Sequence, residues 1–286
     1  MSILRFSRAN DIPGAGLSVA SPPVLADLIG SWFNTNPTTG EIARLSISER
    51  GGALLLNIEA AGPPERVAWH ETPAVPYMAS LGSAEVTGFE AHCDLGFMET
   101  HLAANLKHGV LVVQSYNRFK DGSGRGDYFT REFFHQSVIH ERGLTCAKPN
   151  HDRAAFMMAP GVSILGEHTA AVDLGKLTGL WKNTNRATRG ICELTFTKNG
   201  DAYELNALGA GEPCDWGKVV VIPYADGVDA NYPAGFVAVY GFSFMQVFLA
   251  ANMNKGLMII ASYNTFCDGS GRSNCFSREF FYRAEG

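Results

Sequence analysis

The sequence predicts an all-β protein: two tandem, pseudo-symmetric antiparallel up-and-down barrels of about eight strands each. Three observations lead there. The chain repeats itself once, in order; each repeat has the size of one domain; and the apolar pattern inside a repeat alternates with the period of a strand.

The repeat decides how the 286 residues divide. Gly30-Ser-Trp-Phe-Asn-Thr-Asn36 returns as Gly179-Leu-Trp-Lys-Asn-Thr-Asn185, and Leu102-Ala-Ala-Asn105 as Leu249-Ala-Ala-Asn252. Ser115-Tyr-Asn117 returns as Ser262-Tyr-Asn264, Asp121-Gly-Ser-Gly-Arg125 as Asp268-Gly-Ser-Gly-Arg272, and Arg131-Glu-Phe-Phe134 as Arg278-Glu-Phe-Phe281. All four tryptophans pair, Trp32 with Trp181 and Trp69 with Trp216. A fainter match of Gly16-Leu-Ser-Val19 with Gly161-Val-Ser-Ile164 extends the repeat into the lead-ins. The expected organisation is a first unit over 1–138, a linker with the second lead-in over 139–176, and a second unit over 177–286. Units of this length exceed any solenoid repeat, so each should own a core.

Within a unit the segments read as strands. Ile42-Ala-Arg-Leu-Ser-Ile-Ser48 alternates apolar and polar residues, as a half-buried strand does. Similar runs lie at 53–60, 66–78, 86–95 and 97–107. The β-branched and aromatic runs from Val110 to Phe119 and from Tyr128 to Phe134 are joined by the Gly-rich turn Lys120–Arg125. Regularly spaced short strands with turn residues between them suggest a barrel or sandwich, and nothing demands a helix longer than two turns.

Composition excludes several classes of function. The net charge is -5 with no Lys/Arg-rich block, which argues against nucleic acid as the main partner. No apolar run reaches the roughly 18 residues of a membrane span, and Met1–Gly16 lacks the apolar core of a signal peptide. Six cysteines at irregular spacing form neither a disulfide framework nor a zinc signature; Cys267 and Cys275 flank a turn, where reduced thiols of a cytoplasmic protein are the favoured reading. The Gly-x-Gly elements open no helix, so no dinucleotide or phosphate-loop site is supported, and no cofactor is expected.

A Gly-x-Trp on the first strand with an Arg on the last, Gly30 and Trp32 with Arg131 and again Gly179 and Trp181 with Arg278, resembles the calycin superfamily of lipocalins, fatty-acid-binding proteins and avidins. The resemblance implies that each Arg packs across the indole of its unit, a cation–π contact of about 1 kcal/mol. It also implies a barrel with room for one small ligand, used for binding or, in some lipocalin-like barrels, for cofactor-free cyclase or isomerase chemistry.

The copies differ most in histidine. His70, His92, His101, His108 and His135 lie in the first unit, His140, His151 and His168 in the linker, and none in the second unit. Alternation puts Glu90, His92 and Asp94 on one strand face, with Glu99 and His101 shortly after; the second copy has Val237, Val239, Gly241, Gln246 and Phe248 there. Facing a lumen, this wall would be tuned for acid–base work, with His92 moving a proton and Glu90 or Asp94 orienting it. Facing solvent, it is an ordinary charged face. His92-x-Asp94 with a distal His135, His140 or His151 also has the residue types of a two-His, one-carboxylate iron site, but the repeats do not look like the double-stranded helix that carries it, and no metal is expected.

Trp69, His70, Tyr116, Asn34, Asn117 and Tyr263 are the candidate ligand contacts. Core filling is the alternative for the tryptophan, turn capping for Asn34, and a shared structural role for the tyrosines. The Asp-Gly-Ser-Gly-Arg loops admit a sugar or anion site on each unit, or plain hairpin turns. The sequence therefore points to a cytoplasmic binder of a small organic molecule, chiefly in the first barrel. A cofactor-independent isomerase, cyclase or lyase on the same residues, and a bivalent lectin, are the alternatives; a homo-oligomer is open.

Overall fold

The computed structural model describes residues 22–61, 67–81, 83–136, 172–211 and 214–284. Most of the expected linker, both lead-ins, and His140, His151 and His168 lie outside the described residues. The described chain is all-β apart from one 3-10 turn, Gly175–Leu177.

The first half contains β1 (Gly30–Asn34), β2 (Ile42–Arg50), β3 (Ala53–Ala60), β4 (Val67–Ala68), β5 (Thr72–Met78), β6 (Val86–Asp94), β7 (Met98–Lys107), β8 (Val110–Phe119) and β9 (Tyr128–Gln136). The second half repeats the series as β10 (Gly179–Asn183), β11 (Ile191–Asn199), β12 (Ala202–Gly209), β13 (Asp215–Val220), β14 (Ile222–Ala225), β15 (Pro233–Gly241), β16 (Met245–Asn254), β17 (Leu257–Phe266) and β18 (Cys275–Arg283). The run expected at 66–78 is divided between β4 and β5.

Antiparallel ladders join β1 to β2, β2 to β3, β3 to β5, and then each strand to the next as far as β9, which pairs back onto β1. In the second half β18 likewise pairs back onto β10. The result is a large sheet that closes in a ring. Backbone irregularities repeat too: a register shift falls between Ile42 and Arg44 and again between Ile191 and Glu193. The β7–β8 hairpin turns on His108 and Gly109, and the β16–β17 hairpin on Lys255 and Gly256, all four at positive φ as a two-residue turn of this hand requires.

Two cores follow from the inward faces. Trp32, Leu45, Leu56, Phe89, Leu102 and Phe134 pack in the first half, and Trp181, Leu194, Leu205, Phe236, Leu249 and Phe281 in the second. A third core was not expected. Tyr77, Ala103, Tyr116 and Phe129 of the first half meet Tyr224, Val237, Ala250, Ala261 and Tyr263 of the second. These side chains come from the outward faces of β5–β9 and β14–β18, so the halves pack back to back. Tyr116 donates its hydroxyl to the Ala251 carbonyl at 3.0 Å, and Tyr263 donates to the Ala104 carbonyl at 3.1 Å. Parallel bridges Ala225–Tyr128 and Cys275–Met78 add main-chain contacts between the halves.

The close approach explains two glycines. A Cβ on Gly88 would lie 2.7 Å from the Ala104 carbonyl oxygen, and one on Gly235 the same distance from that of Ala251, beside the rings of Phe276 and Phe129 from the opposite half. Gly88→Ala and Gly235→Ala are each expected to lower stability by about 1–3 kcal/mol, read from the denaturant midpoint. Gly241→Ala, with nothing within 4 Å, should leave the midpoint unchanged within about 0.5 kcal/mol.

Candidate functional site

Along β6, Phe89, Ala91 and Cys93 are buried in the first core, so Glu90, His92 and Asp94 stand on the outward face, His92 and Asp94 exposed. The lumenal wall considered for these residues is thereby overturned: strand alternation gives the inward positions to the apolar set, and packed side chains fill the interior. On the outward face His92 registers with His101 and Asp94 with Glu99. Asp94 pairs with Lys120 at 2.6 Å, a contact that, with the Gly96 amide, holds its carboxyl below the usual range. Glu99 lies 3.5 Å from Arg118 and 3.7 Å from His92.

Glu90 and His101 stand nearer the junction. The Tyr77 hydroxyl donates to Glu90 Oε1 at 2.6 Å and lies 2.7 Å from the Thr265 hydroxyl of the second half. Burial and the Glu90 carboxylate push the Tyr77 phenol upward, so it remains a neutral donor. Glu90 Oε2 and His101 Nε2 are 3.4 Å apart, and neither buried atom has a hydrogen-bond partner. The His101 ring stacks on Phe248 with centroids 4.1 Å apart. His101 and Phe248 are equivalent positions of the repeat, so a histidine and its phenylalanine counterpart meet between the halves.

Of the expected ligand contacts, Trp69 fills the first core, while His70 is exposed. Tyr116 and Tyr263 belong to the junction rather than to a lumen. Asn117 is buried and accepts from the Thr100 hydroxyl at 2.8 Å; its Nδ2 has no partner. Asn34 caps its turn by accepting from the Asn36 amide and donates to Glu132 Oε1 at 2.7 Å. Glu132 also accepts from the Thr39 hydroxyl and the Ile42 amide. Asn183, Thr188 and Glu279 repeat this clasp, which accounts for the two Asn-Thr-Asn and Arg-Glu-Phe-Phe segments.

A concavity lies beside the first clasp. It has a volume of about 450 Å³ and is bounded by the β1–β2 loop, β9, and Asp226 and Gly227 of the second half. Glu41, 3% exposed, and Tyr128, 1% exposed, line it, with the phenol 3.2 Å from Glu41 Oε2. Burial and the Glu41 charge hold the Tyr128 phenol well above its ordinary pKa. A cleft of about 420 Å³ occupies the matching place in the second half, where Gly190 and Cys275 stand at the positions of Glu41 and Tyr128. This pair lies apart from the histidine differences between the copies, and the contrast of Glu41 with Gly190 is the signal in the sequence that marks it.

Two further expectations are corrected. Neither Arg131 nor Arg278 stacks on the tryptophan of its unit: Trp32 is a core residue donating to the Leu28 carbonyl, while Arg131 faces outward with its guanidinium 5.1 Å from the Phe133 ring centre. Arg131 and the core residue Phe134 are an odd number of positions apart, which puts them on opposite faces. The Asp-Gly-Ser-Gly-Arg loops are closed on themselves: Asp121 accepts from the Ser123 amide and pairs with Arg125, which covers the Phe119 ring at 3.9 Å, and Asp268, Ser270, Arg272 and Phe266 repeat the arrangement. With the arginine side chains only 11% and 4% exposed, the loops offer little to a sugar or anion. The described cysteines carry no disulfide, Cys267 and Cys275 included; burial raises Cys93 to about 11 and Cys275 to about 12, so both thiols are protonated at neutral pH. No group of three described His, Cys, Asp or Glu is arranged to hold a metal ion, and no described helix is long and apolar enough to cross a membrane.

Compared with known proteins, the sequence matches no family model and no curated protein.

The loop carboxylates carry a pH prediction. Burial raises Asp121 and Asp268, but hydrogen bonds from Ser123 and Ser270 and the charges of Arg125 and Arg272 outweigh it and leave both below the ordinary value. A depressed carboxyl stabilises the fold above its unfolded pKa, about 3.9, and that contribution is lost as pH falls through the lower folded value. Melting temperature should therefore drop below about pH 4, and Asp121→Asn with Asp268→Asn should flatten the drop. A second prediction concerns the junction: Tyr77→Phe should cost about 1–2 kcal/mol in chemical denaturation, because Glu90 loses its donor while remaining partly buried.

Proposed function

We propose that this chain is a small-molecule-binding protein built from two calycin-like barrels of eight strands fused back to back, with its ligand held in the cleft of the first unit. The strand pairings that return from β9 to β1 and from β18 to β10 support the barrel reading. The observation that carries the binding reading is the asymmetry of the two clefts: one has a buried Glu41–Tyr128 pair and a wall contributed by Asp226, the other has Gly190 at the position of Glu41. A volume of about 450 Å³ suits one small organic molecule. Asn36, Thr38 and Thr39 supply polar groups and Phe129 and Phe133 apolar surface, so a polar ligand with an apolar face fits best. Free thiols at the described cysteines suit the reducing environment of the cytoplasm, and the acidic charge disfavours nucleic acid.

A cofactor-independent isomerase, cyclase or lyase is the second reading, favoured by one observation. Tyr77, Glu90 and His101 form a continuous chain of polar contacts closed by Thr265, and the second unit breaks it with Val237 and Phe248. In that chemistry His101 would exchange a proton with substrate while Glu90, held by Tyr77, orients the imidazole. His92 and Glu99 form the outer rim, with Asp94 held by Lys120.

The test is to identify small molecules that co-purify with the intact chain by mass spectrometry, then measure their affinity and stoichiometry. One ligand per chain, weakened about tenfold by Asp226→Ala through loss of a hydrogen bond to a charged group and indifferent to His92→Ala, supports the cleft. Two equivalent ligands per chain would overturn it. Turnover abolished by His101→Phe, with affinity intact, would move the function to the second reading.

A further inference from the structure

The two clefts carry charge of opposite sign. The loop from Asn34 to Ile42 reads Asn-Thr-Asn-Pro-Thr-Thr-Gly-Glu-Ile, and its counterpart from Asn183 to Ile191 reads Asn-Thr-Asn-Arg-Ala-Thr-Arg-Gly-Ile. The second copy thus lacks the acid of Glu41 and has Arg186 and Arg189 instead. The first cleft is lined by Glu41, Glu132 and Asp226 against one cation, Arg131. The second is lined by Arg189 and Arg278 against one acid, Glu279.

That acid is already engaged. Glu279 accepts from the Asn183 side chain, the Thr188 hydroxyl and the Ile191 amide. A Cβ on Gly190 would lie 2.6 Å from Glu279 Oε2, so no side chain can stand where the first copy has Glu41. Neither Arg189 nor Arg278 enters an ion pair among the described residues. Arg189 is exposed on the loop, whereas Arg278 is half-buried, its guanidinium 5.7 Å from the Phe280 ring centre. Burial takes part of the hydration from the Arg278 charge and lowers its proton affinity.

The strand edge adds a donor. β10 pairs with β18 only over Phe281, Tyr282 and Arg283, and the bridge to β5 falls at Cys275. The Phe280 carbonyl accepts from the Thr184 amide on the side away from β17, and strand alternation turns the main-chain groups of Arg278 the same way. No described strand or loop pairs with them there. The same stretch, residues 277–280, forms the cleft wall. An open main-chain N–H therefore stands in a cleft that Arg189 and Arg278 also line.

We propose that the cleft of the second unit is an oxyanion site for a phosphate group, held by Arg189, Arg278 and the Arg278 main-chain amide. Guanidiniums offer paired donors matched to phosphate oxygens, and a dianionic phosphate balances two of them. A volume of about 420 Å³ leaves room for an organic remainder beside the phosphate. The site is separate from the ligand cleft of the first unit, where Glu41 and Asp226 repel the same anion.

The intact chain is titrated with sodium phosphate, and separately with glycerol 3-phosphate, at ionic strength held constant with sodium chloride. Calorimetry and melting temperature are the readouts. The expected result is saturable binding of one anion per chain, with a rise in melting temperature over chloride. Arg189→Met and Arg278→Met should each weaken binding about tenfold through loss of charge-assisted hydrogen bonds, with Arg189→Lys intermediate. Arg189 is exposed on its loop, so its substitution reads the site even if Arg278→Met lowers stability. Arg186→Met removes a charge from the same loop outside the cleft lining, and should leave the affinity within about twofold. Tighter binding of the ester assigns a phosphorylated organic molecule, and equal binding assigns free phosphate. The proposal is overturned by any of three results: no saturable binding over chloride, parental affinity in Arg189→Met, or an equal loss in Arg186→Met, which would mark general attraction to a basic loop.

Discussion

The reciprocal burial of Tyr116 and Tyr263 is the contact on which the rest of the molecule depends. Each phenol crosses from its own half to a main-chain carbonyl of the other, Ala251 for Tyr116 and Ala104 for Tyr263, and each is pushed far above its ordinary pKa, chiefly by burial. A hydroxyl in that environment needs an acceptor, and a wrong register between the halves would strand two of them, at a cost of about 1–3 kcal/mol each. The same contact sets the distance between the sheets. Gly88 and Gly235 are pressed between a carbonyl of the neighbouring strand and a ring of the other half, and Ala103, Ala250 and Ala261 pack in the core that the halves share. Outward-facing strand positions that would meet water in a single unit are here an interior.

That interior decides where charge can stand. The outward face of β6 and β7 runs from the junction towards solvent. Asp94, Glu99 and His92 lie on the solvent side and take part in surface ion pairs, which contribute little to stability. Glu90 and His101 lie closer in, where Tyr77, itself bonded to Thr265, satisfies one carboxylate oxygen and Phe248 covers the imidazole. Replacing Val237 by its counterpart Glu90, or Phe248 by His101, is thus a change in electrostatics at the edge of a dry contact. The first cleft shows a parallel change, Glu41 and Tyr128 standing where the second copy has glycine and cysteine. Duplication has kept the clasp of Asn34, Thr39 and Glu132 in both halves, because loop and sheet both require it, and has let the flanking positions diverge.

The strands, the turns and the duplication were legible in the sequence because they rest on local rules. Period-two patterning set β2, β3 and β6 within a residue or two of their observed bounds, and Asp-Gly-Ser-Gly-Arg marked hairpin turns closed by their own aspartate. The Glu90–His92–Asp94 grouping was legible for the same reason, since residues two apart on a strand share a face. Local patterning is silent on which face, however. A strand buried on one side and a strand buried on both differ only in what packs against the second side. Leu102-Ala-Ala-Asn105 and Ser115-Tyr-Asn117 were visible as repeats, yet nothing local says that their outward members meet a second copy.

The amino-acid sequence by itself determined the all-β class, the two copies, their strand bounds and the positions at which they differ, because each is a property of spacing along one chain. Only the tertiary structure decided that the polar face of β6 points outward, that Trp32 and Arg131 never meet, and that Tyr116 and Tyr263 each bond a main-chain carbonyl of the opposite half. Those outcomes depend on residues far apart in the chain, brought together by the burial of the inward faces and of the two sheet backs.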